Sequence, residues 1–309
     1  VSSGQLGGDR DRSFTIEIFY RPIEQKRHVL RRILGPVLGH PSTNAVLFIL
    51  TALSIYFVGG WRMSIALMSI LLAHEMGHYI ACRRHGVSAT LPFFIPAPIL
   101  FSGTLGALIL MRSRIPNRKA LFDIGIAGPL AGFLVCVPVL VMGVQEATIE
   151  TYPSPSTYFP IYLGDPLLLK LALPILRGDI SSSATVVIGP LGMAAWFGLL
   201  LTALNLMPVG QLDGGHILYS IFKKRAHVIS RVAWWICVAL IVLSPTWIVW
   251  VVLLRVLGRQ HPPTLRDEEA PGAVRKILAL AALAVFVLCF MPEPIVGHWD
   301  MFFGRHPSP

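Results

Sequence analysis

Seven apolar runs, almost free of charge, divide this chain, at about 44–60, 62–82, 120–144, 185–208, 228–243, 246–257 and 276–292. A run of ~20 apolar residues is what a helix needs to cross the hydrocarbon core of a bilayer. The two runs on either side of Pro245 are shorter than that, so they read either as two short spans or as a hairpin that only dips in. The expected fold is therefore an all-α polytopic membrane protein with six or seven transmembrane helices. Composition excludes the soluble alternative: 54% of the 309 residues are hydrophobic and 14% charged, against about 25% charged in an ordinary globular domain. So little charge cannot cover the surface of a water-soluble fold of this size. A disordered chain is excluded by the same balance, because disorder requires a polar composition.

The net charge of +10 invites a nucleic-acid reading. No basic helix or aromatic-basic platform accompanies it, so no nucleic-acid partner is expected. The distribution of the cations has another meaning. Lys and Arg concentrate in 1–43, 83–119, 223–231 and 255–276, whereas 145–184 holds only Lys170 and Arg177. With seven crossings and the N-terminal side inside, every basic segment is cytoplasmic, as loop Lys and Arg orient membrane proteins. The expected location is an integral, multi-pass protein of a bacterial inner membrane with its N-terminus cytoplasmic. Arg62, at the outer start of the second run, is the one stray cation. No cleavable signal peptide is expected from the polar start. Cys82, Cys136, Cys237 and Cys289 lie far apart in or beside apolar runs, which is neither a disulfide framework nor a zinc knuckle. Leu167–Arg177 reads as a short amphipathic stretch on the membrane surface. Pro92, Pro96 and Pro98 forbid a straight helix after the second run, and Gly103 to Leu110 reads as an extended or re-entrant piece.

The second run contains His74-Glu75-Met76-Gly77-His78. On a helix, positions i and i+4 lie one above the other. Both imidazoles of an H-E-x-x-H sequence can then reach one metal ion while the Glu faces its water. Ionisable side chains inside an apolar span are costly and functional by default; the bland reading is a set of interhelical hydrogen bonds. Two His leave a zinc site short of a third protein ligand. Asp213 is the best candidate, in Asn205-Leu206-Met207-Pro208-Val209-Gly210-Gln211-Leu212-Asp213-Gly214-Gly215-His216, where an apolar helix breaks and Gly214-Gly215 permit close approach. Its rival role is an ordinary helix N-cap. Under the topology above, His74, His78 and Asp213 all sit toward the cytoplasmic side.

Asn205 reads equally well as a donor to a substrate oxyanion or as a group satisfying freed backbone. His216 is read as a neighbour of the site rather than a ligand. Asp123 is read as structural, and the small residues Gly125, Ala127, Gly128 and Gly132 suit close helix packing in lipid. The remaining histidines, His85 and His261 among them, are read as solvated.

Together these motifs resemble the site-2 protease family of intramembrane zinc metalloproteases. The resemblance rests on H-E-x-x-H within a span, on Phe122-Asp123-Ile124-Gly125-Ile126-Ala127-Gly128-Pro129-Leu130-Ala131-Gly132, and on the Asn205–His216 stretch. The flanks, with His261-Pro262-Pro263, resemble the branch lacking a PDZ domain, similar to cyanobacterial and plastid members. The resemblance implies one Zn2+ held by His74, His78 and Asp213, Glu75 as general base, and Asn205 as a substrate-positioning or oxyanion residue. It also implies a re-entrant β-hairpin near 100–111 that holds an unwound substrate as an added strand. The implied division is a polar basic cytoplasmic arm at 1–43, an intramembrane metalloprotease core at 44–225, and C-terminal membrane helices at 226–309 with a polar loop at 258–274. The implied activity is hydrolysis of a peptide bond in or near the transmembrane segment of a membrane-anchored protein or peptide, as in regulated intramembrane proteolysis. A metal-handling transporter and a non-catalytic membrane scaffold are the rival functions. The oligomeric state is not written in the sequence.

Overall fold

The computed structural model describes residues 40–150, 162–178, 185–257 and 261–296. Most of the expected arm at 1–43 and the start of the expected loop at 258–274 lie outside the described residues. Within 46–309, the described residues form one compact unit. The described chain is mostly helical, with two small two-stranded sheets.

The first helix, α1, runs from Pro41 to Arg84, but Gly60 inside it takes φ 76°, ψ 178°. That left-handed φ is accessible to Gly at no Cβ cost. The Ser64 hydroxyl donates to the Ala52 carbonyl at 2.7 Å across a separation of 12 residues. In an unbroken helix those residues would stand about 18 Å apart, so the chain has doubled back at Gly60. The two arms are the first two apolar runs of the sequence, each near the ~20 residues a span requires. The second arm ends at Arg83 and Arg84, cations placed where they complement the helix C-terminus.

An antiparallel hairpin follows: β1, Phe93–Pro96, pairs with β2, Thr104–Leu108, with Phe93 opposite Leu108, Phe94 opposite Ala107 and Pro96 opposite Thr104. The expected extended piece is present as β2. The hairpin expected near 100–111 lies at 93–108 instead: its other strand, β1, falls before that range, where three prolines at 92, 96 and 98 obscure it. A register shift between Phe94 and Pro96 accommodates the proline. The hairpin lies against the first arm of α1, where the Ser54 hydroxyl donates to the Gly103 carbonyl at 2.6 Å. Gly103 has φ 71°, and a Cβ there would meet Ile55 Cα at 2.6 Å. Phe101 packs on Phe197 at 5.0 Å between ring centroids.

The longest unbroken element is α2, Arg118–Glu146, capped by the Asn117 side chain accepting from the Ala120 amide. It packs most heavily against α4, Pro190–Leu206, and α5, Asp213–Phe222. The amphipathic stretch forms α3 with the bounds expected, Leu167–Arg177. A second sheet joins β3, Thr148–Glu150, to β4, Thr185–Val187. The expected apolar run at 185–208 is thus part strand and part helix. Gly189-Pro190 separates the two, since Pro190 has no N–H to give a strand ladder and its fixed φ suits the first helical turn. After a 3-10 turn at Lys223–Arg225, α6 (Ala226–Leu240) and α7 (Trp247–Leu257) fold back on one another, with Trp234 Nε1 donating to the Val251 carbonyl at 3.5 Å. The two short helices on either side of Pro245 thus pack together as a helical hairpin, a geometry that two short spans and a pair that dips in have in common. The last apolar run is α8, Ala273–Cys289.

Among the described residues, two helices, α1 and α2, are long and apolar enough to cross a membrane. Large apolar side chains stand exposed along the helices, including Phe57 at 78%, Leu134 at 71% and Ile175 at 80%. In water such a surface drives aggregation; in lipid it is the ordinary exterior, and the protein is membrane-associated. The stray cation of the sequence is also explained: Arg62 pairs with Glu146, so the start of the second arm and the end of α2 lie at one level.

Candidate metal centre

His74 and His78 stand one turn apart on the second arm of α1, both buried, with Glu75 between them at 4% exposure. Asp213 is the first residue of α5. Its carboxylate Oδ2 lies 3.4 Å from His74 Nε2 and 3.2 Å from His78 Nε2, and the two Nε2 atoms are 3.1 Å apart. The N-cap reading of Asp213 fails, because Leu212 is the N-cap residue and no side chain caps that end.

These separations test whether the residues fit a metal. A tetrahedral ion with bonds of about 2.0–2.1 Å holds its ligand atoms about 3.3–3.4 Å apart, and the three atoms here are close to that spacing. His78 Nδ1 lies 2.8 Å from the Ile124 carbonyl oxygen. A carbonyl only accepts, so Nδ1 carries the proton and Nε2 keeps its lone pair for an ion. One Glu75 oxygen, Oε2, is buried without a hydrogen-bond partner, which a carboxylate tolerates only where a proton or a polar ligand is to arrive. His74, His78 and Asp213 form the group able to hold a metal ion among the described residues. Asn205, in the last turn of α4, places Nδ2 3.3 Å from His74 Nε2.

The sites are brought together by one face of α2. Gly125, Gly128 and Gly132 fall at i, i+3 and i+7, the spacing of a single helical face. A Cβ on Gly128 would lie 2.1 Å from His78 Nε2, one on Gly132 3.1 Å from His74 Cβ, and one on Gly125 3.2 Å from the Asp213 carbonyl oxygen. On the far side, a Cβ on Gly214 would meet the Leu206 carbonyl oxygen at 2.0 Å, and one on Gly215 the Gly210 carbonyl oxygen at 2.3 Å. Absent side chains on two helices are what let the three ligands converge.

Asp123 stays out of this centre. Arg275 donates Nε to its Oδ1 at 2.8 Å and Nη2 to its Oδ2 at 2.6 Å, and His85 Nε2 is 2.9 Å from Oδ2. It ties α2 to α8 and to the turn after α1, the structural role expected. The solvated reading of His85 is corrected by the same contact.

The solvated reading of His261 is also overturned. It is 8% exposed, its Nε2 is 2.7 Å from His216 Nδ1, and its ring stacks on Tyr219 at 4.6 Å. The segment carrying it is laced down: the Leu265 and Arg266 amides donate to the Ile115 and Pro116 carbonyls at 3.1 and 2.9 Å. Tyr219 donates its hydroxyl to Asp267 at 3.2 Å, and Lys223 lies 3.5 Å from Asp267 and 2.7 Å from Glu268. Burial raises the Asp267 carboxyl, but bonds from Thr264, Tyr219 and Lys223 outweigh it and hold it below the usual value. The H-P-P sequence was the only signal of this strap, since loop periodicity says nothing about burial.

Burial, followed by the neighbouring His216 and His227, pushes the His261 imidazole down to about 3, against a smaller raising effect of Pro262 and Asp267. An unfolded His titrates near ~6.5. As pH falls below that value the unfolded chain takes a proton that folded His261 refuses, so stability falls with pH until about 3. At pH 5 the loss is about 2 kcal/mol from this group. Thermal unfolding in detergent, compared at pH 7 and pH 5, is expected to show a larger acid loss for wild type than for His261→Gln.

The fold and the site define a class: a helical membrane protein with a polar, metal-ligating centre built on H-E-x-x-H and a distant Asp. Residues 62–244 match the model of Peptidase family M50, and the chain belongs to that family. It is 33% identical over 237 residues to the probable zinc metalloprotease EGY1, chloroplastic, of Arabidopsis thaliana, covering 75% of this chain and 42% of that protein. It is 33% identical over 229 residues to the EGY1 protein of Oryza sativa subsp. japonica, 73% of this chain and 39% of that one. The probable zinc metalloprotease EGY2, chloroplastic, of Arabidopsis thaliana is 28% identical over 246 residues, 76% and 42%. The chain spans less than half the length of these relatives. Zinc is the metal named for each of them, and the His74, His78 and Asp213 group is of a kind that binds it.

Proposed function

We propose that this chain is an intramembrane zinc metalloprotease of the site-2 type, cleaving a peptide bond in or near the transmembrane segment of a membrane-anchored protein. The observation that carries the reading is the convergence of three ligand atoms beside a buried carboxylate with an unpartnered oxygen. Six or seven spans, with the N-terminal side in the cytoplasm of a bacterial inner membrane, complete the proposal. The charge distribution supports that orientation, as does the Arg62–Glu146 pair opposite the basic ends at Arg83, Arg84 and Arg118.

His74, His78 and Asp213 would hold the zinc, which when bound supplies Lewis acidity to the scissile carbonyl and to the attacking water. Glu75 takes the proton of that water and returns it to the nitrogen of the leaving amine. Asn205 donates Nδ2–H to the oxygen that gains charge as the carbonyl is attacked. Peptide bonds in a transmembrane helix are shielded by their own hydrogen bonds, so the substrate must be unwound locally. The β1–β2 hairpin supports a holding site, because a two-stranded sheet leaves strand edges to which an extended peptide can add. A scaffold or a transporter would not require a buried, unpartnered Glu between two ligating His.

Chelation tests the reading: detergent-purified protein is expected to cleave single-span model substrates, to lose cleavage with a zinc chelator and to regain it with zinc. Cleavage that persists after zinc removal defeats it. The hairpin is tested by Gly103→Ala, which strains a left-handed φ and drives Cβ into Ile55. Zinc binding is expected to stay at the wild-type level while KM rises about tenfold, a loss of about 1.4 kcal/mol of binding.

A further inference from the structure

The geometry points to His261 as a positioning residue for the metal centre, which locks the first turn of α5, and with it the Asp213 carboxylate, through its hydrogen bond to His216. This inference rests on the metalloprotease reading and assigns a role to a residue outside the ligand set.

Asp213 is the ligand that is hardest to place. His74 and His78 are spaced by a continuous helix, whereas Asp213 opens a helix of 10 residues entered from irregular backbone at Pro208–Leu212. The glycine contacts at Gly125, Gly214 and Gly215 allow close approach. Steric contact of that kind limits how near α5 comes but leaves its rotation weakly defined. A directional bond one turn after Asp213 supplies what contact does not. His216 is that turn, with its amide donating to the Leu212 carbonyl at 2.9 Å.

The direction of the bond follows from the partners. His261 Nδ1 lies 2.5 Å from the Pro262 carbonyl oxygen, which only accepts. A neutral His261 therefore carries its proton on Nδ1 and accepts at Nε2, so His216 Nδ1–H donates. His261 is itself held on several sides. Its ring stacks on Tyr219, Pro262 and Pro263 restrict the backbone that follows, and the Leu265 and Arg266 amides are bonded to Ile115 and Pro116. Asn117, the N-cap of α2, donates to Glu269 at 2.9 Å.

These contacts give both halves of the centre one frame of reference. Ile124 of α2 orients His78 directly. The entry to α2 at Ile115–Asn117 holds the strap, the strap holds His216, and His216 sits one turn from Asp213. A displaced strap would rotate α5 without disturbing His74 or His78.

The test loads purified wild type, His261→Ala and His261→Gln with Co2+ and with Zn2+, reading the cobalt visible bands and zinc affinity by chelator competition. Gln is chosen because its amide reaches about where Nε2 stands and can accept the same bond. His261→Ala is expected to bind zinc about tenfold more weakly and to show altered cobalt bands, whereas His261→Gln restores both to near wild type. Unchanged affinity and bands in His261→Ala, beside a normal wild type, overturn the inference alone. So does a Gln variant as impaired as Ala, which would make the role one of ring packing. A wild type that binds neither ion at His74, checked with His74→Ala, overturns the metal-centre reading and this inference with it. Thermal unfolding of each apoprotein is read in parallel: a residue that serves only stability lowers the melting temperature and leaves the cobalt bands in place.

Discussion

Glu75→Gln is expected to retain one zinc per chain and to lower cleavage of a single-span substrate by about 10²–10⁴-fold, the range general-base catalysis contributes. The substitution keeps the volume and the hydrogen-bonding length of the side chain while removing the group that accepts a proton. Glu75 is 4% exposed and its Oε2 has no hydrogen-bond partner, so the isosteric amide displaces no bond at that atom. Zinc binding should survive because His74, His78 and Asp213 are untouched. Metal content by elemental analysis and turnover on the same preparation decide the matter. Full metal with retained turnover removes Glu75 from the mechanism. Lost metal makes Glu75 a structural part of the site instead of its base.

Gly128→Ala is the second large effect, and it acts from a helix that contributes no ligand. The new Cβ would lie 2.1 Å from His78 Nε2 and 2.4–2.5 Å from two further ring atoms. The imidazole cannot yield sideways without breaking its bond to the Ile124 carbonyl. We expect zinc affinity to fall by about 100-fold or more, the scale seen when support around a metal ligand is removed, with cleavage falling alongside it. Gly132→Ala supplies the internal comparison. Its Cβ would meet His74 Cβ at 3.1 Å and Nδ1 at 3.3 Å, a clash that a few tenths of an ångström relieves, so its loss is expected to be about tenfold or less. Equal zinc affinities for the two variants would show that α2 does not shape the site.

Much of the fold can be read along the chain because its causes are local. The doubling back at Gly60 follows two adjacent glycines between apolar runs, and the hairpin of helices follows Pro245. The bounds of α3 follow from its amphipathic period and from Gly178, which ends it at φ 75°. Strand β1 was hidden by Pro96, tolerated at a register shift. The run at 185–208 looked uniform in hydropathy, and only Gly189-Pro190 betrays that it changes from strand to helix. His261 looked solvated because a polar, Pro-rich segment ordinarily is; its burial depends on Tyr219 and His216, which lie some forty residues earlier.

By itself, the sequence determined the medium, the helical character and the chemistry on offer. Hydrophobic runs exclude water, the i and i+4 spacing of His74 and His78 puts two imidazoles on one face, and the broken stretch at Asn205–His216 brings an acid to the end of a span. Those properties depend on neighbours a few residues apart, where backbone geometry leaves little choice. Tertiary structure alone decided that Asp213 stands 3.2–3.4 Å from both imidazoles, that Arg62 meets Glu146, and that a strap from beyond α7 reaches back to α5. Convergence of this kind depends on how closely two helices can approach. That distance is set by which side chains are missing from the face between them, a property of paired surfaces rather than of any one segment.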